Sequence, residues 1–350
     1  MDSHGFYEDV GSPFVGRKRK KLIDFLKQAG LDYDDQIEYT INLVDDGEIV
    51  ATGSIYQNVL KCIAVDEKYQ GMGLSAKIVT SLMNRAVEKD QTHLFLFTKP
   101  TNEQMFSELG FYKIIATNDV LLMENVRNGI VRYVQSLQRP EEQANSIGAI
   151  VANCNPFTMG HRYLIEQAAA CCDTLHVFLV SEDRSVFPTH VRYQLTKEGI
   201  SDLENVILHE TSDYLISSAS FPTYFIRDKA RASDANCELD IRIFCEFFAR
   251  ELGITKRFVG DEPFCEVTRR YNDAMRRILP EYNMELIEIP RKKYGEMQIS
   301  ASHVRDCILK ENYEKIRAIV PVSTFTYITS EVGKEIIKNR GTVKTPEERS

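Results

Sequence analysis

The sequence lacks three features that would assign it to a specialised class of protein. No window approaches the roughly 18 apolar residues that a membrane-spanning helix needs. No two cysteines have the Cys-x-x-Cys spacing of many redox and metal sites. Positive charge is not in excess either, since 43 Lys and Arg face 51 Asp and Glu and give a net charge of -8. This balance disfavours nucleic acid and anionic membranes as partners.

The beginning of the chain, from Met1 to Gly16, has no apolar core of the kind found in signal peptides. The eight cysteines include the adjacent pair Cys171 and Cys172, and most stand among apolar residues. We therefore expect reduced, buried thiols and a cytoplasmic protein. Cys154 lies within a predicted loop, where it could be a reactive thiol. A packing role is the favoured interpretation.

The length predicts two domains. At 350 residues the chain exceeds the roughly 250 residues at which single hydrophobic cores stop growing, and 43% hydrophobic with 27% charged residues is typical of folded protein. A polar stretch containing Pro140 interrupts the pattern between Arg127 and Ser146. We place one domain at 1–135 and the other at 146–345.

The first domain contains a glycine loop between a strand and a helix. A hairpin is predicted over residues 38–56, and the strand 59–65 leads into Gly71-Met72-Gly73 before a helical pattern begins. Backbone N–H groups at such a helix start suit a pyrophosphate, and glycine lets the ligand approach the backbone. A simple tight turn is the alternative.

The order of elements over residues 30–126 resembles the GNAT acetyltransferase family, including the later Asn102 and Gly110-Phe111. The resemblance implies an α+β fold whose loop holds an acyl-CoA-type pyrophosphate. This chain has Lys68 where the family usually has Arg or Gln, and a lysine lacks the bidentate fork of arginine. The domain could also keep the fold without acyl-CoA chemistry. The residues implied for this site are Lys68, Gly71, Gly73 and Asn102.

A second strand–loop–helix pattern opens the other domain. The apolar run 147–151 is followed by a loop that carries Thr158 and His161 at the start of a helical pattern. Donors at a helix N-terminus can converge on a phosphate. Near the end of the domain, Ser300 and Ser302 precede another helix, where serine oxygens can cap the helix and donate to phosphate.

These two motifs resemble those of the adenylyltransferase superfamily, Thr/His-x-Gly-His and Ile-Ser-x-Ser-x-x-Arg. The resemblance implies that they stabilise the α-phosphate of a nucleotide and the leaving pyrophosphate. The catalytic residues it implies are Thr158, His161, Ser302 and Arg305, and the nucleotide-binding residues are Asn155, Phe157, Gly160 and Ser300.

Alternating strands and helices between the motifs predict a doubly wound parallel sheet, with ligands at the carboxyl ends of its strands. Such an α/β fold is that of HUP or nucleotidylyltransferase-like domains. Gly260 and Asp261 follow one predicted strand and are candidates for binding the nucleotide. Asp183, Arg227 and Lys229 are weaker candidates for binding substrate, since solvated loop charges explain them equally well.

Considered as a whole, the chain resembles the citrate lyase ligase family, for example over residues 155–167 and 258–272. The resemblance implies an acid–thiol ligase that uses ATP, Mg²⁺ and acetate. Its partner would be the citrate lyase acyl carrier subunit with its phosphoribosyl-dephospho-CoA group, and no protein metal site, nucleic acid or membrane is expected. Two alternatives stay open: a coenzyme-biosynthesis adenylyltransferase, and a regulatory module that binds adenine nucleotide or acyl-CoA.

Overall fold

The computed structural model describes the backbone of residues 5–141, 144–181, 185–215, 224–226, 228–261, 266–295 and 297–340. Of these, the side chains of Lys229, Val267 and Met297 are not described. The chain divides into two compact units. The first comprises Met1–Arg132 with Phe221–Leu239, and the second comprises Tyr133–Ser220 with Asp240–Ser350.

A segment from the second half of the sequence therefore belongs to the first unit. Tyr224 attaches it there, because its carbonyl accepts from the Asp32 N–H (2.7 Å) and its hydroxyl donates to the Phe97 carbonyl (3.1 Å). The sequence-based limits, 1–135 and 146–345, make no provision for this segment. As domain boundaries they stay a prediction.

The first unit contains one mixed sheet with helices. Its strands are β1 (Tyr7–Gly11), β2 (Tyr39–Asp45), β3 (Glu48–Tyr56), β4 (Val59–Val65), β5 (Phe95–Thr98), β6 (Tyr112–Ala116) and β7 (Leu121–Glu124). Its helices are α1 (Gly16–Gln28), α2 (Leu74–Val87) and α3 (Glu103–Glu108), with 3₁₀ turns at Glu67–Tyr69 and Pro100–Asn102. A fourth helix, α4 (Gly129–Gln135), begins in this unit and continues into the second, because the first segment of the unit ends at Arg132.

The strand order in this sheet is β1-β2-β3-β4-β5-β7-β6. Neighbouring strands are antiparallel except β4 and β5, which run parallel. Helix α2 buries Leu74, Ile78 and Leu82 against the sheet, a spacing of four residues that places them on one helix face. Strand, glycine loop and helix thus follow one another as the sequence predicts for the GNAT-like fold.

The second unit contains a parallel sheet covered on both faces. Its strands are β8 (Ile147–Ala152), β9 (Thr174–Leu179), β10 (Val206–Glu210), β11 (Lys256–Gly260) and β12 (Glu285–Ile289), with a small hairpin β13 (Lys293–Tyr294) and β14 (Met297–Gln298). Its first helices are α5 (Met159–Ala169), α6 (Thr189–Gly199) and α7 (Lys229–Ile243), the last of which begins in the first unit. They are followed by a π-helix (Phe244–Ala249), α8 (Arg250–Leu252), α9 (Glu266–Ile278), a 3₁₀ turn (Leu279–Tyr282), α10 (Ala301–Leu309), α11 (Tyr313–Ile319), α12 (Val322–Thr329) and α13 (Glu331–Arg340).

The large sheet has the order β10-β9-β8-β11-β12, and every neighbouring pair is parallel. Val177 and Phe258 point from one face into the core that includes α5, α6 and α10. Phe178 points to the other face and packs edge-on against Phe244 and Phe248 of the π-helix. Helices on both faces of a parallel sheet confirm the doubly wound α/β class predicted from the sequence.

Two parts of this unit differ from the sequence expectation. The sequence pattern between the two motifs predicts a helix that begins at about Arg242. In the structure, α7 already begins at Lys229. The edge strand β12 and the helices that follow α10 are not anticipated either. In the part of the chain that the structure describes, no helix is long and apolar enough to cross a membrane.

Arg192 of α6 is fully buried beneath the loop that follows β8. Its guanidinium donates to the Asn153 carbonyl (2.7 Å), to the Asn153 side-chain oxygen (2.8 Å) and to the Val180 carbonyl (2.8 Å). It also donates to the Phe187 carbonyl (3.0 Å) and the Thr189 hydroxyl (2.9 Å). One side chain thus ties the loop after β8 to both ends of the β9–α6 connection, and these hydrogen bonds offset the cost of burying its charge.

A pair of histidines joins the neighbouring strands β9 and β10. His176 and His209 are both buried, and the Nδ1 of His176 lies 2.8 Å from the Nε2 of His209. Burial lowers the pKa of His176 to about 4, and burial together with the neighbouring His176 lowers that of His209 to about 3. Both rings are therefore neutral at neutral pH, with one nitrogen donating to the other.

We expect Arg192→Lys to destabilise the second unit by about 3 kcal/mol, because an ammonium cannot reach all of these oxygens and leaves buried groups without a partner. Urea unfolding followed by circular dichroism measures the change. Arg250→Lys is the matched control, since Arg250 is exposed. Equal stability of the two variants would contradict the role given to Arg192.

The histidine pair predicts a loss of stability in acid. The unfolded chain has an ordinary histidine pKa near 6.5 and so binds more protons than the folded chain between about pH 4 and pH 6.5. The free energy of unfolding therefore falls as the pH drops below about 6.5, by roughly 1 kcal/mol per histidine per pH unit.

Replacing one ring tests this. His209→Gln removes one of the two titrating groups, so its loss of stability between about pH 7 and pH 5 should be smaller than that of the wild type. The exposed His190→Gln serves as control and should follow the wild type. An unchanged pH dependence in His209→Gln would show that the pair does not govern acid stability.

Candidate active site

The two motifs predicted to handle phosphate belong to the second unit. Residues 153–158 follow β8, and Asp261 follows its neighbour β11. Strands β9 and β10 lie on one side of β8, whereas β11 and β12 lie on the other. The direction of winding reverses between β8 and β11, and open parallel sheets bind ligands at such a point.

Thr158 and His161 form a reciprocal cap at the start of α5. The Thr158 hydroxyl accepts from the His161 backbone N–H (3.3 Å), and the His161 Nδ1 accepts from the Thr158 backbone N–H (3.1 Å). This is a capping box in which a histidine replaces the usual Glu or Gln. The pair is therefore fixed by the local backbone before any ligand binds.

The cap also determines the chemical state of His161. Because a backbone N–H can only donate, Nδ1 is the acceptor and the ring proton resides on Nε2. Burial, followed by the nearby positive charge of Arg291, lowers the pKa of His161 to about 4. The ring is neutral at neutral pH and offers Nε2–H as a hydrogen-bond donor.

Gly160 lies where the two motifs approach each other. A Cβ at this position would lie 3.0 Å from the Ile299 carbonyl oxygen, a contact tighter than nine in ten real Cβ contacts. A larger residue would have to push α5 away from the segment that leads into α10. The glycine therefore permits the close approach of the two phosphate motifs.

Arg305 makes a second link between the motifs. Its guanidinium donates to the Asn155 carbonyl (2.8 Å) and to the Ser302 hydroxyl (3.1 Å), and the residue is buried. Ser300 caps α10, where its hydroxyl accepts from the His303 N–H (3.1 Å). The structure thus brings together all four predicted catalytic residues, which are Thr158, His161, Ser302 and Arg305.

Asn155 and Phe157 hold the loop itself. The side-chain oxygen of Asn155 accepts from the Phe187 N–H (3.1 Å). Phe157 is fully buried, and its ring stacks with His161 at a centroid distance of 5.9 Å. Phe157 also packs against Gly199, whose missing side chain makes room for the ring. Both side chains are engaged within the protein, so their contact to a nucleotide stays a prediction.

Gly260 and Asp261 lie at the end of β11 beside Arg291. The Asp261 carboxylate accepts from the Arg291 backbone N–H (2.9 Å), and the Asp261 carbonyl accepts from its guanidinium Nε (2.7 Å). Arg291 follows β12 and is close enough to lower the pKa of His161. Asp261 therefore holds the cation of Arg291 near His161.

Sequence reasoning missed Arg291 and Arg192. Arg291 could have been found as the start of the basic run Arg291-Lys292-Lys293, had the preceding edge strand been recognised. Arg192 has no such signal, because an arginine within a helical pattern is usually exposed.

Cys154 is fully buried, and burial raises its pKa to about 12. The thiolate is the reactive form of cysteine, so this thiol is inert at neutral pH. The packing interpretation of Cys154 is thereby favoured over a reactive thiol.

In the first unit, Gly71 and Gly73 both have positive φ, 82° and 75°, and nothing lies within 4 Å of a Cβ built at either position. Gly73 directly precedes α2. The loop is thus open at the start of a 14-residue helix, a geometry that suits an anionic group. The exposed Lys68 lies in the turn just before it.

Asn102 ends the 3₁₀ turn that follows β5 and does not lie on the glycine loop. Its amide donates to the Thr98 hydroxyl (2.8 Å), and its backbone N–H donates to the Lys99 carbonyl (3.0 Å). These bonds shape the turn after β5. Contact of Asn102 with a ligand stays a prediction.

The three residues predicted to bind substrate stay predictions. Asp183 and Arg227 lie outside the described residues. Lys229 is the first residue of α7 and belongs to the first unit, whereas Thr158 and His161 belong to the second.

Comparison with known proteins gives consistent matches along the chain. Residues 4–113 match the acetyltransferase (GNAT) family, and residues 147–328 match the citrate lyase ligase C-terminal domain. Among solved structures, Thermotoga maritima TmcAL bound with alpha-thio ATP is 16% identical, with a TM-score of 0.33 over 56% of this chain and 57% of that one.

Two curated relatives are similar over nearly their full length. The chain is 42% identical over 318 residues to the citrate (pro-3S)-lyase ligase of Escherichia coli (strain K12), which covers 89% of this chain and 90% of that protein. It is also 42% identical over 318 residues to the ligase of the same name from Klebsiella pneumoniae, covering 89% and 93%. This confirms the resemblance seen in the motifs, and the chain belongs to the citrate lyase ligase family.

Proposed function

We propose that this chain is an ATP-dependent acid–thiol ligase that activates acetate as acetyl-adenylate. It then acetylates the thiol of the phosphoribosyl-dephospho-CoA group on the citrate lyase acyl carrier subunit and releases AMP and pyrophosphate. Family membership supports the proposal. The observation that carries it is that Arg305 donates to the Asn155 carbonyl, in the same loop whose end forms the Thr158–His161 cap of α5.

In the first step, a carboxylate oxygen of acetate attacks the α-phosphorus of ATP, and the bond from that phosphorus to the pyrophosphate oxygen breaks. Catalysis of such a step consists mainly of positioning and of stabilising charge on phosphate oxygens. His161 donates its Nε2–H to these oxygens, and its neutral ring keeps that proton throughout. The N-terminus of α5 adds its positive dipole end.

The leaving pyrophosphate gains negative charge as the bond breaks. Arg305 and Arg291 supply cations at the site, and the capped N-terminus of α10 supplies further donors. These groups bind phosphate rather than metal, and the described residues contain no group of three or more His, Cys, Asp or Glu that could hold a metal ion. Mg²⁺, if it accompanies ATP, would supply further positive charge at the phosphates beside Arg305 and Arg291.

In the second step, the sulfur of the prosthetic group attacks the acetyl carbonyl carbon. The bond from that carbon to the AMP oxygen breaks, AMP leaves, and the thiol proton passes to solvent. The prosthetic group contains a pyrophosphate, and the open loop at Gly71 and Gly73 is the place we propose for it, with Lys68 as a nearby cation. ATP and a reduced thiol are both available in the cytoplasm, which is the location we propose.

His161→Ala tests the assignment of the phosphate site. Loss of the single donor should slow acetate-dependent exchange of pyrophosphate into ATP by about 10²- to 10³-fold, the usual effect of losing one preorganised donor. The exposed His190→Ala is the matched control and should exchange at the wild-type rate. Exchange at the wild-type rate in His161→Ala would contradict the assignment.

The reaction products separate the alternatives. An acid–thiol ligase releases free AMP. It does so only when deacetylated carrier protein is supplied to accept the acetyl group. A coenzyme adenylyltransferase would retain AMP in its product, and a nucleotide-binding module would show no exchange at all. Either of these last two results would overturn the proposed reaction.

Gly71→Glu tests the proposed place of the prosthetic group. The open space at this position accommodates the new side chain, whose charge repels a pyrophosphate. We expect acetylation of the carrier protein to fall by about tenfold or more, while acetate-dependent pyrophosphate exchange stays unchanged.

Gly71→Ala is the matched control, because it introduces the same strain at a positive φ without adding charge. Carrier acetylation should therefore fall further in Gly71→Glu than in Gly71→Ala. Wild-type acetylation in both variants would show that the first unit does not hold the prosthetic group.

A further inference from the structure

The hairpin β13–β14 connects the end of β12 to the start of α10, and Lys292 directly precedes it. The Lys292 carbonyl accepts from the Ile299 backbone N–H (3.1 Å), which closes the hairpin at its base. The carbonyl of Ile299 in turn faces Gly160 of α5. One hydrogen bond therefore joins Lys292 to the residue at which the two phosphate motifs approach each other.

The side chain of Lys292 extends over α5. Its Nζ lies over the ring of Tyr163, 5.6 Å from the ring centroid. Tyr163 begins the second turn of α5, and the side chains of a helix lean towards its N-terminus. The ring therefore holds the ammonium towards the end of α5 that begins after Thr158, which is the end that the proposed reaction assigns to phosphate.

This ammonium has no oxygen partner in the described part of the chain, where it makes neither a hydrogen bond nor an ion pair. Lys292 and Tyr163 are both half-buried. The guanidinium groups of Arg305 and Arg291, by contrast, donate to backbone carbonyls. An ammonium carries three N–H donors, and contact with a ring face leaves donors available for an anion.

The next residue, Lys293, has a different environment. It is exposed, and its backbone pairs with Gln298 across the hairpin. Successive side chains of an extended chain point to opposite sides, so the side chain of Lys293 points away from that of Lys292. The two lysines carry the same charge in the same hairpin, and only Lys292 contacts α5 through its ammonium. Lys293 is therefore a matched control.

We propose that Lys292 is a further catalytic residue, which binds the phosphates that leave as pyrophosphate, and that Tyr163 is a positioning residue, which holds the ammonium beside them. The inference rests on the proposed function in one respect, that these phosphates are those of ATP. A lysine suits the role because its ammonium is a point charge on a flexible stem, which adjusts as the bond to the α-phosphorus breaks. The electron pair of that bond passes to the pyrophosphate, and Lys292 keeps its proton and offsets the new negative charge.

Lys292→Ala tests the catalytic role through acetate-dependent exchange of pyrophosphate into ATP. Loss of one preorganised donor should lower kcat by about 10²-fold. Lys293→Ala removes the same charge from the same hairpin and should exchange at the wild-type rate. Wild-type exchange in Lys292→Ala, or an equal loss in Lys293→Ala, would overturn the proposal.

A double-mutant cycle tests the positioning role of Tyr163. Tyr163→Phe keeps the aromatic face and should retain the wild-type rate, whereas Tyr163→Leu removes it and should lower kcat/KM for ATP by about fivefold. In the Lys292→Ala background, Tyr163→Leu should have no further effect, because the side chain then has no ammonium to hold. Losses that multiply in the double variant would show that Tyr163 acts through the fold alone, and its positioning role would be wrong.

Binding of inorganic pyrophosphate, measured by titration calorimetry on the full chain, needs no acetate and so separates this inference from the proposed reaction. Lys292→Ala should bind pyrophosphate about tenfold more weakly than the wild type, and Lys293→Ala should bind as the wild type does. If acetate-dependent exchange is absent while this difference in binding persists, the proposed reaction is wrong and the phosphate-binding role of Lys292 stands. Equal affinity of the wild type and Lys292→Ala for pyrophosphate would overturn that role.

Discussion

The hydrogen bond from Arg305 to the Asn155 carbonyl is the contact on which the site in the second unit depends. It joins residues 150 positions apart and brings the start of α10 to the loop that precedes α5. Gly160 allows this approach, since the Ile299 carbonyl occupies the space that a side chain would need. Two helix N-termini, each capped by a hydroxyl of its own, thereby meet beside β8. Either terminus alone would be an ordinary capped helix, and in the proposed reaction the two together bind the triphosphate.

Burial of polar groups sets the chemistry at this edge of the sheet. Arg192 donates to the carbonyl oxygens of Phe187, Asn153 and Val180 and so fixes the loops around it. His161 is kept neutral by burial and by Arg291, and the Thr158 N–H fixes its tautomer. In the proposed reaction the histidine therefore acts as a fixed donor rather than as an acid or base. A phosphate transfer that needs positioned charge more than proton transfer is consistent with such a site.

Features carried by short stretches of sequence could be predicted, and features created by tertiary contact could not. The strand–loop–helix patterns around Gly71 and Thr158, and the capping serine Ser300, are local, so the fold class and the motifs were accessible. Arg192 and Arg291 acquire their roles only through partners from other loops. The strand β12 was missed because two glutamates interrupt its short apolar pattern. No sequence pattern could show that Tyr224, more than 100 positions downstream, bonds to Phe97 of β5.

The central claim is that acetate attacks the α-phosphorus of ATP at the site of Thr158 and His161. A single turnover with heavy-oxygen-labelled acetate, ATP and deacetylated carrier protein tests it most directly, with the label followed by mass spectrometry. Attack at the α-phosphorus places a labelled oxygen between acetyl and AMP, and cleavage by the thiol leaves that oxygen in AMP. We therefore expect labelled AMP and unlabelled pyrophosphate. Label in the pyrophosphate, or AMP without label, would contradict it.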